Sequence, residues 1–272
     1  MLKKILPLPA ANTQKLFEQQ RCLIEDVIKR LERLDGKPSK VVQAVRMKFC
    51  PICKTESKRF KSRSAVGKKT RCPNCLSFER HRQLYLYLDK EMGLFSANVN
   101  PPIKLLHFAP EKCLFVRFKE NKNIDYYPVD INPDHQRIRA IVDAQKIPYE
   151  NDKFDIVISM HVLEHVPNDA AAIEEMFRVI KPGGEALVSV PDDRKLEATL
   201  EDSGFNTPEL RALHYGQDDH LRKYGRDFPE RLSKAGFCVS ALKLAKHYSK
   251  KELEKYVANT SKSIWKCGKK RP

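Results

Sequence analysis

With 272 residues, 41% of them hydrophobic, the chain suits one full α/β domain with a sizeable core and a smaller attachment. No apolar run approaches a membrane span, and the opening MLKKILPLPAA is broken by Pro7 and Pro9; no signal peptide is expected, and the default location is the cytoplasm. The net charge of +16 is uneven: residues 1–100 hold 22 Lys and Arg against 9 Asp and Glu, residues 101–272 hold 29 against 26. Such a surplus suits a polyanionic partner (RNA, a phosphorylated glycan or an anionic membrane surface), or is simply a solvated basic face.

In chain order, residues 1–48 form a helical segment. Phe17, Leu23, Ile24, Val27, Ile28, Leu31 and Leu34 recur at helical spacing between Gln14 and Leu34, an amphipathic helix for packing on the body or on a second subunit. Residues 49–97 carry Cys50, Cys53, Cys72 and Cys75 as two CxxC pairs separated by 18 residues. In a chain expected in the cytosol, this spacing reads as a structural zinc ribbon, ahead of a redox dithiol pair or four unlinked thiols. The polar gap Lys54–Arg71 lacks the apolar residues for its own core, so the metal is expected to hold it. A helix over LSFERHRQLYLYLDKEMGLF follows. Arg80 and Arg82 in its first turn are surface residues, or point into a cleft to hold an anionic acceptor. Cys113, Cys238 and Cys267 have no metal spacing and read as buried thiols.

Residues 98–272 form the main domain. Strands are expected at Ile103–Phe108, Ile124–Val129 and Arg137–Val142. Phe154–Ser159 has the composition of a strand buried on both faces. Asp169 is the expected N-cap of a helix bearing Ile173, Met176, Phe177 and Ile180 on one face, and Lys181-Pro182-Gly183-Gly184 its stop. A strand over Ala186–Val190 completes a right-handed crossover in a parallel sheet. Ligands of such sheets sit beyond the carboxyl ends of the strands, where Met160, His161 and Pro191 belong.

The stretch DAQKIPYENDKFDIVISMHVLEHVPND, followed by EEMFRVIKPGGEALVSVP, resembles the second half of a class I S-adenosylmethionine (SAM)-dependent methyltransferase. The similarity runs over about residues 103–266 and is strongest to the quinone and small-molecule subgroup. It implies an α/β, Rossmann-like, mostly parallel seven-stranded sheet with helices on both faces, and SAM as cofactor. His107, Ala109 and Glu111 stand where the family carries acidic-x-Gly-x-Gly, so the methionine end meets a turn without glycine. Asp130, with Ile131 beside it, matches the acid that accepts the ribose hydroxyls. Asp143 matches the acceptor of the adenine amino group, and the amide of Ala144 the partner of a ring nitrogen. Met160 lines the same site.

The resemblance also implies that residues 192–225 form a substrate lid ending in a histidine–basic–aromatic cluster, here His220, Arg222 and Tyr224. His220 is the expected base, with Tyr224 beside it and Arg222 on the acceptor; His161 orients the acceptor or takes the base role itself. A loop fastened by its own polar contacts is the other reading of this cluster. The expected activity is methyl transfer to an oxygen or nitrogen, with preference for a sugar hydroxyl of an anionic or phosphorylated glycan precursor. RNA methylation through the basic zinc segment is the second reading, and a non-catalytic RNA- or protein-binding adaptor that has lost SAM the third.

Overall fold

The computed structural model describes residues 47–62, 69–258 and 264–271, together with Leu23, Asp26, Val27 and Arg30. The chain divides into two compact units, Met1–Met47 and Lys48–Pro272. In the first, Leu23, Asp26, Val27 and Arg30 are helical, and Asp26 pairs with Arg30 one turn on at 3.2 Å. The rest of the helix expected over 14–34 lies outside the described residues.

The second unit opens with two antiparallel hairpins, β1 (Lys48–Phe49) with β2 (Glu56–Ser57) and β3 (Lys61–Ser62) with β4 (Lys69–Arg71). Helix α1 (Glu79–Met92) follows and ends at Gly93, whose φ of 62° supplies the left-handed cap. Then come β5 (Ile103–Phe108), α2 (Lys112–Lys119), β6 (Ile124–Asp130), β7 (Ala140–Ile141), β8 (Phe154–Met160), α3 (Asp169–Val179) and β9 (Ile180–Ser189). The chain closes with α4 (Pro208–Tyr215), α5 (Phe228–Lys234), β10 (Cys238–Ala241), α6 (Lys250–Lys255) and β11 (Trp265–Gly268).

Seven strands form one sheet in the order β10-β11-β9-β8-β5-β6-β7. The pairs β9–β8, β8–β5, β5–β6 and β6–β7 are parallel, and β11 runs antiparallel to both its neighbours. This is the doubly wound, mostly parallel sheet expected from the sequence. Period-2 alternation distributes the central strands over two cores. Leu105, Ile156 and Ile158 face one apolar cluster; Leu106, Phe108 and Val157 face the other under α3 and α5. Each such side chain, fully buried, contributes roughly 1.5–3 kcal/mol. Ile52 and Phe60 of the cysteine segment belong to the first cluster with Leu84, Leu88 and Leu114. That segment therefore shares the core of the sheet, although its composition is too polar to build one alone.

Several local expectations are corrected. Asn168, not Asp169, caps α3, accepting from the Ala171 amide at 3.1 Å. The Lys181–Gly184 stretch does not lie beyond a helix but inside β9, which starts directly after α3. Gly184 is needed there because a Cβ would stand 2.7 Å from the Asp155 carbonyl, at the register shift between β8 and β9. The third strand shrinks to Ala140–Ile141. Helix α4 lies within the expected lid, where Thr207 caps it and Pro208 takes its first position. Cys238 is exposed on edge strand β10, not buried. Among the described residues no helix is long and apolar enough to cross a membrane.

Candidate functional site

The four cysteines converge as the two CxxC pairs predict. Cys50 Sγ lies 3.6 Å from Cys75 Sγ and Cys53 Sγ 3.7 Å from Cys72 Sγ, and one sulfur of each lies within 4.8 Å of the others. Sulfurs about 2.3 Å from a tetrahedral zinc are about 3.8 Å apart, so the cluster fits that ion. The two knuckles repeat each other. The Cys50 amide donates to the Thr55 carbonyl and the Cys72 amide to the Ser77 carbonyl, both at 2.9 Å, and Lys54 and Leu76 turn the chain at φ 59° and 62°.

Arg82 stands behind this centre with no exposed surface. Its guanidinium donates to the carbonyls of Thr70, Ser77, Tyr256 and Val257 at 2.6–3.2 Å, and it lies over the Phe60 ring. With its donors spent on backbone it ties the knuckles to the chain after α6, and the expected acceptor contact has no surface from which to be made. Arg80 packs its guanidinium over Phe78, 5.1 Å from the ring centre.

The other centre lies at the carboxyl edge of the sheet. Phe108 pairs with Val129 on one side and Ser159 on the other, and Met160 with Ser189, so the turns after β5, β6 and β8 leave side by side. Ala109 holds φ 46° and its amide reaches the Val129 carbonyl at 2.9 Å. Alanine thus adopts the left-handed turn that glycine takes more cheaply, at a cost of about 1 kcal/mol. Asp130 spends one oxygen on the Asn132 amide at 2.8 Å; the other lies 4.0 Å from His135. Ile131 is exposed beside it, and Met160 is buried below. Asp143 accepts from the Gln145 amide at 2.9 Å and from its side chain, and Ala144 is buried. Both aspartates thus make local turns while standing at adjacent strand ends.

Glu111, in place of the second glycine, caps α2 between two imidazoles. His81 Nε2 lies 3.0 Å and His107 Nε2 3.2 Å from its carboxylate. His81 Nδ1 accepts from the Phe78 amide at 3.2 Å, which leaves the proton on Nε2 facing Glu111. Burial pushes the Glu111 carboxyl up, but the two imidazoles outweigh it and hold the carboxyl well below its usual 4.5. Burial also lowers His81, whose Nε2 stays 3.0 Å from the carboxylate. Tyr126 bonds the far nitrogen of His107 at 2.9 Å.

Beyond β8, His161 takes φ 58° and its Nδ1 meets Glu164 at 3.1 Å. A histidine in the left-handed region is uncommon and strained. His165 Nδ1 lies 3.3 Å from Asp219, and its ring meets the His220 ring edge-on at 4.9 Å between centres. His220 Nε2 contacts the Gln217 amide group at 2.8 Å, and burial shifts this imidazole downward. The structure therefore brings His161 and His220 to one place, with Glu164 and His165 between them. Neither Glu164 nor His165 is among the site residues expected from the sequence; their signal is the Leu163-Glu164-His165 run that begins two residues past His161.

Arg222 and Tyr224 do not reach the cleft. Arg222, 1% exposed, donates to the carbonyls of Leu163, Val166 and Pro167 and pairs with Glu201 at 2.6 Å. Tyr224 is fully buried, its hydroxyl 2.8 Å from Asp169, and burial pushes its pKa up, so the phenol stays un-ionised. They fasten the end of the 192–225 segment to the turn after β8, the other reading the sequence allowed.

Residues 78–260 match a family model described as a methyltransferase domain. The chain is 36% identical over 59 residues to a ubiquinone biosynthesis O-methyltransferase of Pseudomonas fluorescens, covering 22% of this chain and 24% of that protein. It is 38% identical over 67 residues to the chloroplastic tocopherol O-methyltransferase of Arabidopsis thaliana, 25% of this chain and 19% of that one. Over 86 residues it is 44% identical to the ubiquinone/menaquinone biosynthesis C-methyltransferase UbiE of Coxiella burnetii, 30% and 34% respectively. It thus spans only a fifth to a third of the length of these relatives. Among solved structures, the cyclase SpnF is similar with a TM-score of 0.46 and 16% identity, over 72% of this chain and 84% of that one. The YcgJ protein of Bacillus subtilis gives 0.45 and 14%, over 71% and 99%.

Proposed function

The chain belongs to the methyltransferase-domain family, and on that premise we propose that it transfers the methyl group of SAM to a hydroxyl of a small acceptor. The carrying observation is one edge of the sheet. There the open turn at Ala109, the acid Asp130 and the strained His161 leave three neighbouring strands side by side. SAM, when bound, supplies a methyl on a sulfonium that is already a good electrophile. The protein's share is then positioning and removal of one proton.

The left-handed turn of Ala109 and the amides that open α2 suit the methionine carboxylate. Glu111, held by two imidazoles, is assigned to the ammonium group. Asp130 takes the ribose hydroxyls with the oxygen its turn leaves over. Asp143 and Ala144 take the adenine edge, with Ile131 against its face and Met160 beneath. His161 is the base. It is 25% exposed in its side chain and oriented by Glu164 through Nδ1, leaving Nε2 toward the acceptor. The proton of the attacking hydroxyl passes to that nitrogen as the oxygen–carbon bond forms and the old carbon–sulfur pair stays on sulfur. His220, 3% exposed, sits behind, so this assignment reverses the order of the two histidines expected from sequence.

Two relatives are named as O-methyltransferases of ubiquinone and tocopherol metabolism, which supports an oxygen acceptor. The surplus of basic residues in 1–100 supports an anionic one; a phosphorylated glycan precursor is our first choice and RNA the second. Zinc, held by the four cysteines, is structural in this account because four thiolates leave no open position. Transfer of tritiated methyl from SAM into separated cell fractions tests the reading. Label in a small-molecule or glycan fraction is expected, label in RNA moves the acceptor to the second reading, and label in none contradicts the activity.

A further inference from the structure

Glu164, His165 and His220 converge behind His161, and one ligand-type atom of each lies within 4.8 Å of the other two. Glu164 is 1% and His220 3% exposed. Glu164 Oε2 and His220 Nδ1 are both buried without a hydrogen-bond partner. A buried carboxylate oxygen and a buried imidazole nitrogen left unmatched are each destabilising, the charged one more so. Their other atoms are engaged, Glu164 Oε1 by His161 at 3.1 Å and His220 Nε2 by Gln217 at 2.8 Å. The two unmatched atoms are therefore the ones free to hold something.

The frame around them is built. The Leu221 amide donates to the Glu164 carbonyl at 2.8 Å, so the loop that carries His220 is stitched to the turn that carries Glu164. Arg222, one residue on, clamps the carbonyls of Leu163 and Pro167 at 2.8 Å and that of Val166. His165, half-exposed at the mouth, turns Nδ1 to Asp219 at 3.3 Å. A carboxylate behind the ring is the usual arrangement of a metal-binding histidine, fixing its tautomer and leaving the other nitrogen for the ion.

We propose that Glu164, His165 and His220 form a second metal site, for a divalent first-row transition ion bound through two imidazoles and one carboxylate. Three protein ligands leave open coordination positions, as in catalytic sites. The ion neutralises the buried Glu164 carboxylate and takes the acceptor hydroxyl as a further ligand. That coordination lowers the pKa of the hydroxyl, whose proton His161 then removes. The second part rests on the methyl-transfer reading; the binding of the ion does not.

Manganese(II) is the probe, because nitrogen and oxygen ligands accept it while the four thiolates retain zinc. Zinc-replete protein is titrated with manganese(II), and the free ion is followed by its paramagnetic resonance signal. One manganese per chain is expected, with none in Glu164→Gln, loss in His220→Ala, and affinity about 10-fold weaker in Asp219→Asn, whose carboxylate pairs with His165. If the site retains an ion through purification, elemental analysis finds two metals per chain in the wild type and one in Glu164→Gln. Circular dichroism establishes that each variant is folded. Folded wild-type protein with one metal per chain and no manganese binding overturns the proposal, leaving an ordered water as occupant. Binding unchanged in Glu164→Gln and His220→Ala overturns it equally. S-adenosylhomocysteine titrated into the same samples separates the two ideas. Its binding without manganese sinks the metal site alone, and manganese binding without it sinks the methyl-transfer reading alone.

Discussion

Glu111 and His81 meet at 3.0 Å, joining the first turn of α1, the helix that leaves the cysteine centre, to the turn after β5. The cysteine segment and the turn expected to hold the methionine end of SAM are therefore mechanically linked through one carboxylate, which His107 holds from the sheet side.

That carboxylate has a predictable pH signature. Its folded pKa lies below 4.5, so the stability it adds is fully present above pH 4.5 and is lost as the pH falls toward the folded value. Replacing it with a neutral amide removes a charge-assisted contact worth roughly 2 kcal/mol. The melting temperature of Glu111→Gln should fall below wild type at pH 7, with the gap closing below pH 4.5. A gap that is constant with pH would show that the ionised form adds nothing.

Arg82 is assigned to structure. Arg82→Ala leaves several carbonyls buried without donors and should cost about 3 kcal/mol, read as a lower denaturant midpoint. Arg82→Lys, which cannot span four carbonyls with a planar fork, should recover only part of it. Turnover per folded molecule, with saturating acceptor, should be unchanged in both; a raised KM for the acceptor would return Arg82 to the cleft.

Tyr224 is likewise removed from the chemistry. Tyr224→Phe deletes the hydroxyl bonded to Asp169, which Arg231 still pairs at 3.1 Å. A loss of about 1 kcal/mol in stability is expected, with kcat within a few-fold of wild type. His161→Ala should instead lower kcat 100-fold or more, on the order expected for a general base, without weakening S-adenosylhomocysteine binding.

What was legible in the sequence follows from how locally each feature is determined. Phe154–Met160 could be read as a doubly buried strand because its apolar run leaves no solvent face, and Asp130 could be placed because a strand end fixes it. The four cysteines were legible from spacing alone. The roles of Arg82, Arg222 and Tyr224 were not, because each is decided by backbone carbonyls 5 to 175 residues away in the chain. His81 and Glu111 were separately visible, but nothing local announces that a histidine before the domain would meet the residue standing in place of a glycine. The strand through Pro182-Gly183-Gly184 was misread because the same residues that end helices also permit a close backbone approach at a bulge.

The central claim is that the strand ends carrying Ala109, Asp130 and Asp143 bind SAM, and titration calorimetry with S-adenosylhomocysteine tests it most directly. The account predicts one molecule bound per chain, weakened about 10- to 100-fold in Asp130→Ala and in Asp143→Ala, as expected for loss of charged hydrogen bonds. Folded, zinc-replete protein that binds neither S-adenosylhomocysteine nor SAM, or binding that both substitutions leave unchanged, would contradict it.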